Sequence, residues 1–330
     1  MNSTDDFPSS SKILVLETRP LPMSGRFSAL LLAMRPRQWT KNLALFVGLV
    51  FAQRLFNPLL FERAALAFVA FCCASSSIYL FNDLLDLEND RQHPHKKQRP
   101  LAAGTLPVSW AIATIGILWL ACVLLTGALF FIPTAATALF AAAGGANTLF
   151  AVTLASYLTL MILYGLRLKH VVLLDVFVIA AGFALRILAG AVVIPVSISP
   201  WLYMVTIMLS LFLAFGKRRN ELVLLEDQAG NHRQILKEYT LPLLDQMITI
   251  VTAATIMAYS LYTFQATTGN HQLMITIPLV LYGMFRYLYI VYVRKDGGSP
   301  EEVLLRDRHM LGTVVLCVAT VIVVLYVLPH

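Results

Sequence analysis

Nine largely apolar stretches dominate this chain: 43–57, 64–81, 107–131, 134–166, 171–194, 200–216, 245–266, 273–293 and 309–328. A helix needs about 20 mostly apolar residues to cross a bilayer, and only a helix or a closed barrel satisfies its own backbone there. Stretches of this length and spacing predict an all-α fold, a polytopic membrane bundle of about nine transmembrane helices. With 58% of its residues apolar and 13% charged, the chain is also too poor in charge for a soluble domain of 330 residues.

Charge decides the parity of the crossings. The fourth stretch is overlong, and Gly144-Gly145 offers a point at which it splits in two. Nine crossings place Arg35, Arg37, Lys41, Arg91, Lys96, Lys97, Arg99, Arg167, Lys169, Lys217, Arg218, Arg219, Arg233, Lys237, Arg294, Lys295, Arg306 and Arg308 on one side. They leave only Arg54 and Arg63 in loops on the other. Ten crossings would send every basic loop after residue 166 to the opposite face, against the excess of Lys and Arg in cytoplasmic loops. The expectation is a multi-pass protein of the cell (inner) membrane, with loops 82–106, 166–170, 217–244 and 294–308 facing the cytoplasm. The net charge of +7 is then an orientation signal; no nucleic acid is expected, for no stacking or groove-reading module accompanies it.

Residues 1–24 are polar, contain Pro and Ser, and lack the apolar core of a secretory signal. They read as a disordered cytoplasmic tail ahead of a catalytic membrane domain at 25–330. The stretch 28–34 is too short to span and reads as an interfacial helix. It leads into Arg35-Pro36-Arg37-Gln38-Trp39-Thr40-Lys41-Asn42, either a surface anchor or a phosphate contact. Cys72, Cys73, Cys122 and Cys317 fall inside apolar stretches without metal-type spacing and read as packing residues. Lipid-facing and protein-facing apolar surfaces look alike, so the sequence leaves a homo-oligomer open.

The chemistry lies at the end of the second stretch, in Asn82-Asp83-Leu84-Leu85-Asp86-Leu87-Glu88-Asn89-Asp90. Asn82, Asp86 and Asp90 are spaced by four and Asp83 precedes Asp86 by three, so a helix leaving the membrane presents them on one side. Three carboxylates so close repel one another unless a divalent cation sits among them, and Mg²⁺ takes a few carboxylates together with water and substrate phosphate. The motif runs straight into Arg91, His93, Lys97 and Arg99. Acid followed at once by base is what a magnesium diphosphate requires: carboxylates for the metal, cations for the oxygens it leaves free. Asp83, Asp86 and Asp90 are therefore the candidate metal-binding and catalytic residues.

This motif, NDxxDxxxD at the end of the second helix, resembles the first motif of the UbiA superfamily of intramembrane prenyltransferases, and the likeness covers residues from about 28 to 328. The resemblance implies a UbiA-like helical bundle and Mg²⁺ as cofactor. Members that prenylate aromatic rings carry a second aspartate-rich motif after the sixth helix. Here that position reads Phe215-Gly216-Lys217-Arg218-Arg219-Asn220-Glu221, with one acid. The departure resembles the branch of decaprenyl-phosphate phosphoribosyltransferases. That likeness is carried by residues 35–42, Arg91, His93-Pro94, Lys97, Arg99-Pro100, the run from Tyr164 to His170 with Lys169, Lys217-Arg218 with Glu221, and Ser299-Pro300-Glu301-Glu302. It implies transfer of 5-phosphoribose from phosphoribosyl diphosphate (PRPP) to a polyprenyl phosphate for arabinose donors of the cell envelope, with diphosphate as the leaving group.

Three anionic groups would then need partners, and the chain has several basic clusters. Those near Asp83 (Asn82, Arg91, His93, Lys97, Arg99) suit the diphosphate, Lys217 and Arg218 the 5-phosphate, and Arg35, Arg37, Lys41 and Asn42 the acceptor phosphate. His95 reads as solvated, and Tyr164 and Lys169 fit a hydroxyl-and-cation contact to phosphate. Asp175, Gly182, Arg186 and Gly190 fall within roughly 80° of one another on a helix. They predict a polar face lining the cavity, or a buried structural pair at Arg186. The alternative enzyme joins a prenyl diphosphate to an aromatic or lipid acceptor. A transporter is disfavoured, because its site is built at the midplane and not at the rim.

Overall fold

The computed structural model describes residues 23–93, 96–134, 144–197, 199–226, 234–265, 271–294 and 300–328. The tail expected at 1–24 lies outside these residues up to position 22, as does His95. Among the described residues there is no strand. The α-helices are α1 (Met23–Ala33), α2 (Val47–Phe51), α3 (Pro58–Leu85), α4 (Leu87–Gln92), α5 (Val108–Ala128), α6 (Ala146–Leu166), α7 (Leu174–Val193), α8 (Pro200–Glu226), α9 (Leu241–Gln265), α10 (Ile277–Tyr292), α11 (Pro300–Arg306) and α12 (Arg308–Tyr326). Eight of them, α3, α5, α6, α7, α8, α9, α10 and α12, are long and apolar enough to cross a membrane, α5 and α10 with short 3₁₀ turns at their ends.

The first stretch, expected as a helix at 43–57, is built differently. Arg35 precedes Pro36, which disfavours the right-handed helical region; it sits at φ 53° and stops α1. The chain then runs as a 3₁₀ helix over Pro36–Phe46 and continues into α2. This segment lies antiparallel to α3 along its length. Arg35 meets Asp83 at one end, Trp39 donates to Ser76 Oγ (2.9 Å), Asn42 donates to Ser75 Oγ (3.3 Å), and Phe46 packs on Phe68 and Phe61 at the other end. At about 2.0 Å per 3₁₀ residue and 1.5 Å per α residue, Pro36–Phe51 covers about 30 Å, a hydrocarbon thickness. That is the length of one more crossing beside the eight helices long and apolar enough to span. The tight coil suits its neighbour: a Cβ at Gly190 of α7 would collide with the Leu45 carbonyl.

Two other boundaries move. Charged residues do not end a helix whose backbone bonds continue, so α3 runs to Leu85, and α8 runs ten residues past the apolar stretch to Glu226. Lys217, Arg218 and Glu221, expected in a loop, thus lie on a helix. Arg63, also expected in a loop, lies inside α3 and is 0% exposed. It donates to the Val193 carbonyl (2.7 Å), the Leu129 carbonyl (3.1 Å), the Ile132 carbonyl (2.7 Å) and Asn147 Oδ1. It therefore joins the ends of α5, α6 and α7, where helix carbonyls lack intrahelical partners.

Local signals account for the helix starts. Pro58 opens α3 behind Asn57, whose side chain accepts from Leu60 N–H at 3.1 Å. Gly144 and Gly145 at φ 84° and 92° precede α6, so the described part of the fourth stretch is a single helix; 135–143 lie outside the described residues. Asp307 caps α12 by accepting from Met310 N–H (2.9 Å). The spans pack around α7, the most deeply buried of them. Its beginning (Val176, Ala180) packs with α8, α9 and α10, and its end (Ala189, Val192, Val193) with the 3₁₀ crossing, α3 and α6.

Candidate active site

The acidic motif straddles a break. α3 ends at Leu85 and α4 begins at Leu87, yet the bonds Asp86 N–H to Asn82 O (2.9 Å) and Asp90 N–H to Asp86 O (2.8 Å) carry helical spacing through Asp86. Seven residues are about two turns, so Asp83 and Asp90 face the same way. Both accept from Nη1 of Arg99, at 3.1 and 2.6 Å. Asp86 lies roughly 60° round the axis and accepts from Lys169 Nζ at 2.7 Å. Arg35 Nη2 donates to Asp83 Oδ1 at 2.5 Å while its guanidinium lies over the Tyr79 ring at 4.9 Å. Asp83, Asp90 and Lys169 are all buried, at 2%, 3% and 6% exposure. A cleft of about 230 Å³ opens here, walled by Ala33, Arg35, Asp83, Gln98 and Arg99.

Three cations from three places in the sequence thus converge on the motif, and other candidates point elsewhere. Arg91 pairs with Glu88 at 2.8 Å in solvent. His93 shapes the loop, its Nδ1 accepting from Lys96 N–H at 3.3 Å, and Lys97 is exposed on that loop. Arg37 is exposed and Lys41 half-buried. Asn42 is fully buried and turned to Arg186, so the four residues expected to share the acceptor phosphate do not converge.

A second buried cluster joins α7 and α8. Asp175, 0% exposed, accepts from Arg218 Nε (2.6 Å) and from the Tyr239 hydroxyl (2.7 Å), and Arg218 Nη1 reaches Glu221 at 2.5 Å. Tyr164, at the end of α6, is within electrostatic reach of Arg218. Tyr239 comes from the 3₁₀ turn region after Gln234–Glu238, and its oxygen also accepts from the N–H of Leu173, held at φ 68°. Burial pushes the Tyr239 hydroxyl well above its ordinary pKa, so it stays a donor to Asp175. Sequence reasoning missed Tyr239; the apolar pair Ile235-Leu236 in a polar loop, both buried, was its only signal.

Arg186 sits deeper. Its Nε donates to Asn42 Oδ1 (2.8 Å), Nη1 to the Gly182 carbonyl (2.9 Å) and Nη2 to the Tyr157 hydroxyl (2.8 Å), with its guanidinium over the rings of Tyr157 and Phe183. Among the described residues it meets neutral acceptors and no carboxylate. Arg186 thus ties the 3₁₀ segment and α6 to α7, as in the buried structural alternative, while Asp175 on the same face pairs with Arg218 of α8.

As they stand, each acid of the motif is turned to a cation, and among the described residues no three acids, histidines or cysteines gather around one point. The donor set nonetheless fits a hard divalent ion. Asp83 and Asp90 already share one nitrogen, Asp86 is one turn away, and Asn82 Oδ1 is buried without a hydrogen-bond donor. That oxygen packs on Gly165 of α6, where a Cβ would collide with it.

The family model described as the UbiA prenyltransferase family matches residues 42–311. The chain belongs to that family. It is 32% identical over 314 residues to the decaprenyl-phosphate phosphoribosyltransferase of Corynebacterium glutamicum, covering 93% of this chain and 90% of the relative. It is 30% identical over 309 residues to the protein of that name from Mycobacterium tuberculosis, covering 91% and 95%. The fold is similar to that of a UbiA homolog from Archaeoglobus fulgidus, solved bound to GPP and Mg²⁺. The TM-score is 0.65 at 16% identity, over 91% of this chain and 100% of that one. This UbiA protein is thus an enzyme and an integral membrane protein.

Proposed function

We propose that this UbiA protein transfers 5-phosphoribose from PRPP to a polyprenyl phosphate of the decaprenyl type at the cytoplasmic face of the inner membrane, with Mg²⁺ bound at Asn82, Asp83, Asp86 and Asp90. The observation that carries the reading is the contrast between the two polar clusters. The first combines three carboxylates with three cations, the composition a metal diphosphate needs. The second spends both of its acids on Arg218 and so has none free for another metal diphosphate. Likeness over nine-tenths of the length to relatives with that activity in their names supports the same choice.

Bound Mg²⁺ would supply charge neutralisation for the departing diphosphate. The chain's own part is to hold and orient. Arg35, Arg99 and Lys169 hold phosphate oxygens at the motif, and Asp86 keeps Lys169 at the end of α6. Arg218 and Lys217 on α8 would take the ribose 5-phosphate, the guanidinium of Arg218 being fixed by Asp175, which the Tyr239 hydroxyl holds in turn. A phosphate monoester is already anionic near neutral pH, so the acceptor needs positioning and no strong base. The polyprenyl chain lies in the bilayer, and the product serves arabinose donors for the cell envelope.

The test is incubation of the purified protein with Mg²⁺, polyprenyl phosphate and radiolabelled PRPP. Label should pass into the lipid fraction, and Asp86→Asn should abolish it. No labelled lipid, together with turnover of a prenyl diphosphate on an aromatic acid, would overturn the reading in favour of prenyl transfer.

A further inference from the structure

Lys169 and Asp175 belong to different polar clusters and to one short stretch of chain. Lys169, 6% exposed, is fixed on Asp86 at 2.7 Å, and Asp175, 0% exposed, on Arg218 at 2.6 Å; five residues separate them. The last turn of α6, which leads into this stretch, lies between the clusters: Gly165 packs against Asn82 Oδ1, and Tyr164 is within electrostatic reach of Arg218. The connection from α6 to α7 thus bears on how far apart the clusters stand.

That connection is not slack. Val171 is extended, at φ −106° and ψ 124°, and its carbonyl accepts from Asp175 N–H at 3.1 Å. Leu173 stands at φ 68° and ψ −44°, a conformation that a Cβ disfavours and that persists only where the surroundings impose it. Here they impose it from three directions. The Tyr239 hydroxyl accepts from its N–H (2.8 Å), its carbonyl accepts from Val176 N–H (3.0 Å) and Phe177 N–H (2.9 Å), and its side chain packs on the core that contains Val176. The same hydroxyl donates to Asp175 at 2.7 Å, so one buried tyrosine holds both the strained residue and the acid beyond it. Glycine would make this turn without strain. Leucine makes it only in one way, and that stiffens the link.

We propose that Leu173 is a positioning residue: the strained connection it locks sets the span between Lys169 and Arg218, and so selects a donor that is anionic at both ends, with a diphosphate at one and a phosphate at the other. The inference rests on the reading that the donor is PRPP, held by its diphosphate at the acidic motif and by its 5-phosphate at Arg218. A ligand held at two points is strengthened by the second only while the points keep their separation. Loosening the link lowers the effective concentration of the second contact and leaves each contact by itself unchanged. A prenyl diphosphate, anionic at one end, draws nothing from such a span.

The test sets the whole donor against its two halves. In the radiolabel transfer assay on the full-length protein, with Mg²⁺ and polyprenyl phosphate, KM is measured for PRPP and inhibition constants for inorganic diphosphate and for ribose 5-phosphate, in wild type and Leu173→Gly. Glycine frees the connection, so KM for PRPP should rise about tenfold while both inhibition constants stay within about twofold. Val171→Gly, on an exposed residue, should raise KM for PRPP about threefold with the same split, and carries the test if Leu173→Gly does not yield a monodisperse protein. If either half weakens alongside PRPP, glycine has distorted a cluster and not the spacing. That result overturns the proposal, as does an unchanged KM for PRPP or a wild type that ribose 5-phosphate does not inhibit. Transfer from PRPP without the split sinks this inference and leaves the phosphoribosyl reading standing; no transfer from PRPP by wild type sinks both.

Discussion

Arg63→Met is the substitution whose cost follows most directly from the contacts of one side chain. The side chain is completely buried and serves four acceptors: three main-chain carbonyls, at Val193, Leu129 and Ile132, and the Asn147 amide oxygen. Methionine fills much of the same volume and donates to none of them. An acceptor left unsatisfied in a dry interior costs about 1–3 kcal/mol, while interhelical bonds in membranes average nearer 0.6 kcal/mol because the reference state finds other partners. Between these limits, four lost bonds destabilise by roughly 3 kcal/mol. At about 2–4 °C per kcal/mol the melting temperature in detergent should fall by about 6–12 °C. Arg63→Lys keeps the charge and part of the donor set and should fall about half as far. The assay is thermal unfolding followed by size-exclusion chromatography. If Arg63→Met melts within about 1 °C of wild type, the assignment of Arg63 as the tie between three helix ends is wrong.

Further outcomes follow from neighbouring contacts. Gly165→Ala puts a methyl where Asn82 Oδ1 lies, so transfer should fall at least about tenfold, the equivalent of ~1.4 kcal/mol, with little change in melting; wild-type turnover would show that Asn82 has room to move without consequence. Tyr239→Phe loses its bonds to Asp175 and Leu173 N–H, and amide exchange around 234–239 should speed up about tenfold, matching roughly 1.4 kcal/mol of lost local stability. The hydrogen bonds from Arg286 to Asp307 hold that carboxyl down at about 2, below an ordinary carboxylate. A lowered folded-state pKa stabilises above the unfolded value and is lost as pH falls through the folded one. The melting-temperature gap between wild type and Asp307→Asn should therefore hold above about pH 5 and close between about pH 4 and pH 2; a gap constant down to pH 2 would contradict the assignment.

What could be read from residue order was what depends on composition and short spacing. Apolar length was enough to expect a multi-pass all-α bundle, and the spacing of Asp83, Asp86 and Asp90 was enough to expect them near one another at a helix end. What escaped depends on contacts between distant residues. Nothing near Asp86 marks Lys169 as its partner, 83 residues away, and nothing near Asn42 marks Arg186. Arg63 looked like a loop charge because a hydropathy window cannot tell a solvated arginine from one that satisfies carbonyls in the interior. Lys217 and Arg218 looked like loop residues for the related reason that helix bonding outlasts the apolar stretch. The helical conformation of the first crossing was hidden too, since a 3₁₀ coil and an α-helix can share one composition.

That crossing has a grammar of its own. With three residues per turn, positions three apart stack in a column, and Trp39, Asn42 and Leu45 form one: indole to Ser76, amide to Ser75 and Arg186, backbone to Gly190. Such a column works like a key cut for a single lock. Adding or removing one residue turns every tooth by about 120° and shifts it by about 2 Å, so that Lys41 or Leu43 arrives where an amide is required. An α-helical span can absorb a small change of length by tilting. Here the reading frame of the segment sets where Arg35 emerges, and the spacing of the rim is ruled from inside the bilayer.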